Sequence, residues 1–194
     1  MVIFGPPRTF MLNAIRDWIT DCPFDPHTAL GIDRNPTLIE ILTSKWPWIE
    51  ITEASYPEHD AQDLSSFQDE CFDIVFSHQV IEHIPKPWRA ADAMNRVLKT
   101  GGLGIHTTCA YNPRHGLPSF NDYYRFLPDG LEQLWDGQDV LVKEGWGNRQ
   151  AILYNLAIDD GHGTLGGRRF SRAVGEPNDP DHPWVTWIIY QKRA

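Results

Sequence analysis

The stretch 71-CFDIVFSHQVIEHIPKPWRAADAMNRVLKTGGLGIHTTC-109 sets the architecture of this chain. Residues 72–76 form a short apolar run with Ile74 and Val75 at its centre, the composition of a strand buried on both faces. Over residues 88–99, Trp88, Ala91, Met94 or Asn95, and Leu98 return to one side at helical spacing. Gly101 and Gly102 are expected to stop that helix, because glycine takes the left-handed backbone without steric cost. Residues 103–108 resume as a strand. A strand, a helix and a second strand of this length make a right-handed parallel crossover. Sheets built from such units bind ligands beyond the carboxyl ends of their strands. That rule puts Ser77, His78, Glu82 and His83 at the edge where chemistry is expected.

The same alternation continues on either side of this unit. Residues 2–4 are a very short apolar run ending at Gly5, and residues 10–19 have the spacing of an amphipathic helix. Residues 28–32 read as a strand ending in Asp33. A helix follows from residue 37, with Asn35 as N-cap and Pro36 at the first helical position. Residues 48–54 alternate like an edge strand, and residues 56–69 form an acid-rich loop. Beyond the central unit come a loop at 112–122, a short helix at 128–135, a strand at 139–144 and a helix at 150–158. Residues 159–181 are rich in glycine, proline and charge, without periodicity, and read as an exposed excursion. Residues 184–190 are a final strand. Alternation of this kind predicts an α/β, doubly wound sheet. At 194 residues the whole chain is expected to be a single domain.

Composition narrows the partners. There are 17 Lys and Arg against 26 Asp and Glu, a net charge of −9, which disfavours nucleic acid because phosphate contacts need clustered cations. Cys22, Cys71 and Cys109 include no CxxC pair, so neither a disulfide framework nor a zinc knuckle is suggested. A reducing cytoplasm is the expected compartment. No secretory signal and no membrane-spanning run are visible. His78 and His83 resemble a zinc-protease helix only superficially. Five residues apart, they would lie roughly 140° from each other on a helix, and Pro85 and Pro87 interrupt the segment. No metal is expected. The oligomeric state is not legible.

The order strand, polar residue, 80-VIEHI-84, helix, 96-RVLKTGG-102 and strand resembles the second half of class I S-adenosylmethionine-dependent methyltransferases. The likeness is greatest to the small-molecule and saccharide-modifying branch called type 11. The resemblance implies a Rossmann-like, mostly parallel sheet whose antiparallel C-terminal strand runs between its neighbours. It implies S-adenosylmethionine as cofactor and methyl transfer to a small-molecule or saccharide acceptor. By the same resemblance Asp33 holds the ribose diol. Asp60 in 59-HDAQDL-64, with Ala61 beside it, takes the adenine amine, and Ser77 and His78 face the amino acid and sulfonium. Asp33 also reads as a helix-capping aspartate, and Asp60 as a solvated turn acid. His83 stands where a neutral imidazole serves as base, or where it orients a loop. The segment 121-NDYYRF-126 resembles an acceptor wall of that branch. There Tyr124, Arg125 and Phe126 recognise a polar ring, or Arg125 only pairs with a neighbouring carboxylate.

One part of the family pattern is missing. The glycine-rich loop after the first strand has as its only counterpart 4-FGPPR-8, around Gly5. Two prolines stand where amide donors belong, and proline has no N–H to give. The motif is therefore truncated or degenerate: either the chain begins inside a longer first strand, or the loop has decayed. The alternative function is then a catalytically inactive methyltransferase-like module that binds a ligand or partner.

Overall fold

The computed structural model describes residues 6–116, 120–158 and 176–194. Helix α1 (Pro6–Asp21) leads to β1 (Thr28–Ile32), α2 (Pro36–Lys45), β2 (Glu50–Ala54) and β3 (Phe72–His78). A 3-10 turn (Ile81–His83) precedes α3 (Pro87–Val97) and β4 (Leu98–Cys109). Then come α4 (Pro128–Glu132), a second 3-10 turn (Gln133–Trp135), β5 (Asp139–Trp146), α5 (Arg149–Ile158) and β6 (Val185–Gln191). The described strands form one sheet in the order β2-β1-β3-β4-β6-β5. Strands β1 to β4 are parallel, and β6 runs antiparallel between β4 and β5. This is the doubly wound α/β sheet that the alternating pattern predicts.

Local chemistry accounts for the element ends. The Asn35 side chain accepts the Leu38 amide at 3.2 Å, and Pro36 needs no partner in the first turn of α2. Leu38, Ile41 and Leu42 then fall on one buried face. The sheet is covered on both sides. One apolar layer joins Met11 and Ile15 of α1 and Leu38 of α2 to Ile74, Phe76 and Trp187. The other joins Ala90, Met94 and Val97 of α3 and Trp135 to Leu30, Val75 and Ile188. Strand β6 is buried from Val185 to Tyr190, as a strand between two neighbours and under two layers must be.

The glycine pair does not stop the helix. Helix α3 ends at Val97, and Leu98 is already extended and paired with Phe72. Gly101 and Gly102 lie inside β4, where the register with β3 shifts between Phe72 and Ile74. Gly101 has φ +78, and a Cβ on Gly102 would stand 2.8 Å from the carbonyl oxygens of Asp73 and Lys99. The glycines therefore serve a strand irregularity.

Residues 1–5, with the expected strand at 2–4 and Gly5, lie outside the described residues. Strand β1 is paired with β2 on one side and β3 on the other, so no further strand separates β1 from β3. Of the expected excursion, residues 159–175 also lie outside the described residues. Residues 176–181 are largely exposed and are tethered near the end of β5. Asn178 bonds both Gly145 and Gly147, and Asn148 bonds the Pro177 carbonyl.

Asp73 ties the sheet together across three strands. One carboxylate oxygen accepts the amides of His27 and Thr28, both at 2.9 Å, and the Thr28 hydroxyl at 3.0 Å. The other accepts Lys99 Nζ at 2.7 Å. Burial opposes its charge, but Lys99 and these donors prevail and bring the carboxyl down to about 2. Asp73→Ala should cost about 1–3 kcal/mol, the usual penalty for orphaned partners of a charged group. A depressed native pKa means that the unfolded chain binds the proton more readily. The wild-type advantage is thus complete above the ordinary aspartate value of about 4 and disappears as pH falls toward 2. Urea unfolding of both proteins over a pH series checks this.

Candidate active site at the carboxyl ends of the central strands

The chain leaves β1 toward β2, then crosses to β3 on the other side of β1. The topological switch point, where doubly wound sheets bind ligands, therefore lies between the carboxyl ends of β1 and β3. Asp33 stands at the end of β1. Its backbone is left-handed at φ 61, and its amide is fixed to the Ala54 carbonyl at 2.8 Å. Gln79, just past β3, is also left-handed at φ 56. Two non-glycine residues in this region cost of order 1 kcal/mol each, and such strain collects at ligand sites. The capping role belongs to Asn35, so the exposed Asp33 carboxylate is not used to start α2.

The other expected cofactor residues have varied surroundings. Asp60 is exposed and builds its own turn: its side chain accepts the Gln62 amide at 2.9 Å, and its carbonyl accepts those of Asp63 and Leu64. Ala61 packs beneath that turn against the apolar layer containing Leu64. Ser77 is fully buried and bonds its hydroxyl to His106 Nδ1 at 2.9 Å. His106 stacks on Trp135 with ring centroids 4.3 Å apart, which places it in the core and not in the cleft. His78 Nδ1 meets the Thr107 hydroxyl at 2.9 Å. Burial brings both His78 and His106 down to about 3 and keeps them neutral; nearby Arg8 adds to this at His78.

Arg8 is a candidate site residue that the motif reading overlooked. It reaches from the first turns of α1 to Gln79 Oε1 at 3.2 Å, across the switch point. Enclosure lowers its pKa, and the Glu82 carboxylate partly offsets that. Its sequence signal is modest: it is the single charged side chain among the first ten residues.

Beyond the cofactor edge, the loop after β4 is stapled over the 3-10 turn. The Glu82 carbonyl accepts the amides of Tyr123 and Tyr124, at 2.9 and 3.2 Å, and the Cys109 carbonyl accepts that of Phe126 at 3.0 Å. His83 Nδ1 lies 2.7 Å from the Asn121 carbonyl, which can only accept, so Nδ1 carries the proton and Nε2 is the basic nitrogen. The His83 ring meets His115 and Phe120 edge-on, with centroids 4.9 and 4.6 Å away. Arg125 clamps Asp122 through two nitrogens at 2.5 and 2.6 Å. It also bonds the carbonyls of Asn112, Pro113 and Tyr124. Its donors thus shape the loop. Tyr124 bonds the Pro85 carbonyl through its hydroxyl, and Phe126 packs on the core. Tyr111, Phe120 and Tyr123 are the rings left exposed along this segment.

Comparison with known proteins agrees with this arrangement. Residues 15–105 match the family model described as a methyltransferase domain. That span, just under half of the chain, is similar to methyltransferase domains. An uncharacterised methyltransferase of Mycobacterium tuberculosis is 31% identical over a segment covering 29% of this chain and 32% of that protein. The chain spans about a third of the length of that curated relative. Among solved structures, phosphoethanolamine N-methyltransferase 2 of Haemonchus contortus, in complex with S-adenosyl-L-methionine, superposes with TM-score 0.64 at 16% identity. The match covers 97% of this chain and 54% of that one. A SAM-dependent methyltransferase of Archaeoglobus fulgidus gives TM-score 0.55 at 16% identity, covering 95% and 94% of the two chains. Both share the fold of the methyltransferase domain.

The Asp122–Arg125 clamp should govern the order of the loop beside this domain's cleft. Burial opposes the charge of Asp122, but Arg125 and the His115 amide hold its carboxyl at about 2. Asp122→Ala removes these bonds while leaving the sheet intact. Hydrogen exchange should quicken at least tenfold at the amides of His115, Tyr123 and Tyr124 and stay unchanged in β3 and β4, as measured by exchange mass spectrometry.

Proposed function

We propose that the methyltransferase domain, within a single domain spanning residues 1–194, binds S-adenosylmethionine at the β1/β3 switch point and methylates a small-molecule or saccharide acceptor. One observation carries this reading. Asp33 presents an exposed carboxylate at the switch point, with its capping role taken by Asn35. A carboxylate there suits a ribose diol, which donates two hydroxyl bonds. The Asp60–Ala61 turn offers an edge and an apolar surface for adenine. Ser77 and His78 end the strand beneath the amino-acid end. Arg8 supplies a cation for the cofactor's carboxylate, a role the family gives to the amides around Gly5. The Haemonchus neighbour, solved with S-adenosyl-L-methionine, supports the cofactor assignment.

The bound cofactor supplies an electrophilic methyl group, and the chain supplies position and proton handling. His83 takes the acceptor's proton on Nε2, since Nδ1 is held by Asn121. The loop of Tyr124, Arg125 and Phe126 walls the acceptor side, with Arg125 as a positioning residue. Glycosyl or small polyol acceptors suit the exposed rings of Tyr111, Phe120 and Tyr123, which stack on apolar ring faces. The net charge of −9 leaves nucleic acid outside this proposal. Among the described residues no helix is long and apolar enough to cross a membrane. The free thiols Cys22, Cys71 and Cys109 suit a reducing cytoplasm.

A second reading has its own support. Pro6 and Pro7 open α1 without N–H donors, and β1 lies directly against β3, where the family would place a glycine-loop strand. These features fit a methyltransferase-like module that no longer binds cofactor. Calorimetric titration with S-adenosylhomocysteine separates the two. The transfer reading expects saturable binding, weakened about tenfold or more by Asp33→Ala and by Arg8→Ala, the scale of a hydrogen bond to a charged group. It also expects His83→Ala to leave that binding unchanged. Neither heat nor a thermal shift at millimolar ligand selects the partner module.

A further inference from the structure

The fold gathers a cluster of metal-ligating side chains that the sequence spacing does not suggest. A carboxylate oxygen of Glu82, the sulfur of Cys109 and a ring nitrogen of His115 all lie within 4.8 Å of one another. They come from the 3-10 turn, the end of β4 and the loop after it. Glu82 is completely buried, and only Oε2 is satisfied, by the Thr108 hydroxyl at 2.8 Å. Oε1 has no hydrogen-bond partner among the described residues. A buried carboxylate oxygen left bare is desolvated without compensation, so it calls for a partner. Cys109 is a buried free thiol beside it.

His115 is arranged as metal-bound histidines are. Around its Nδ1 two acceptors, the Pro113 carbonyl at 3.1 Å and Asp122 at 3.2 Å, stand closer than two donors, Arg125 at 3.4 Å and Asn112 at 3.5 Å, and the closer pair assigns the proton to Nδ1. Nε2 is left for a ligand. Asp122 is itself gripped by Arg125, which completes a carboxylate–histidine pair of the kind that orients a ligating imidazole. A competing triad of His83, His115 and Asp122 also lies within 4.8 Å. Asp122 is the poorer ligand of the two carboxylates, because both of its oxygens are engaged by Arg125 and one also accepts the His115 amide.

We infer that Glu82, Cys109 and His115 bind one thiophilic divalent cation of the zinc class, with Asp122 as the residue that positions His115. Glutamate oxygen, thiolate sulfur and imidazole nitrogen are the donor types zinc takes, and three protein ligands leave a position for water or an acceptor oxygen. On binding, the Cys109 S–H bond breaks, the sulfur keeps the electron pair and donates it to the cation, and the proton leaves to solvent. Burial, Glu82 and Asp122 push the Cys109 thiol well up, and Arg125 and Arg8 only partly offset them, so the cation has to displace the thiol proton.

The test uses the full chain, stripped with a chelator and titrated with Zn2+ by calorimetry and with Co2+ by absorption spectroscopy. One equivalent of metal should bind, and Co2+ should give a near-ultraviolet thiolate charge-transfer band. Cys109→Ser should abolish that band. Glu82→Gln and His115→Ala should each weaken Zn2+ more than tenfold, and Asp122→Asn about 10–100-fold, the usual effect of an outer partner. Thermal unfolding of each variant without metal shows that the fold persists. Wild-type protein that gives no stoichiometric binding or no charge-transfer band overturns the inference, as does unchanged Zn2+ affinity in Cys109→Ser. The titration needs no cofactor, so its failure leaves the methyl-transfer reading intact.

Discussion

Ile32 pairs with Ser77, and this one parallel register places the whole carboxyl edge. Hydrogen bonding along β1 and β3 aligns the ends of the two strands, so Asp33 and the residues from Ser77 to Gln79 flank the same crevice. The next register, Ser77 with His106 and His78 with Thr107, extends the edge to β4. From there Cys109 and Glu82 become neighbours. Each side chain is held by a backbone that the sheet has already fixed, and fixed geometry is what aligned group transfer and ligand binding demand.

The second level of organisation is electrostatic. Cations and anions alternate around the edge: Arg8 near Glu82, and Arg125 against Asp122. The Asp122–Arg125 pair is bidentate and partly enclosed, and Arg125 adds backbone carbonyls to that pair. Such a charge-assisted fork specifies geometry as well as energy. Together with the backbone bonds from Tyr123, Tyr124 and Phe126 to the Glu82 and Cys109 carbonyls, it shapes the described part of the loop, whose rings at Phe120 and Tyr123 are exposed.

Most elements of the fold were legible in the linear pattern. The strand at Thr28–Ile32, the Asn35–Pro36 start of α2 and the buried final strand follow from period, capping and β-branched composition, which are local properties. The Gly101–Gly102 pair misled for a physical reason. A glycine after a helix and a glycine within a bulged strand look alike along the chain, and the Asp73 carbonyl that crowds Gly102 belongs to the neighbouring strand β3. At the site, Asp33 was legible because strand end and acid adjoin in sequence. Arg125 was half legible: its neighbour Asp122 is three residues away, but its bonds to Asn112 and Pro113 depend on the loop's path.

Periodicity, turn chemistry and the VIEHI segment were enough to establish an alternating α/β sheet and the place of Asp33 at the end of a strand. These depend on residues within a few positions of each other. Strand order, the absence of any strand between β1 and β3, Arg8 over Gln79 and the meeting of Glu82, Cys109 and His115 required the folded chain. Those partners are separated by 27 positions between Glu82 and Cys109 and by 71 between Arg8 and Gln79. Only hydrogen-bonded register and packing bring them within reach, and no local pattern of residues encodes a distance of that kind.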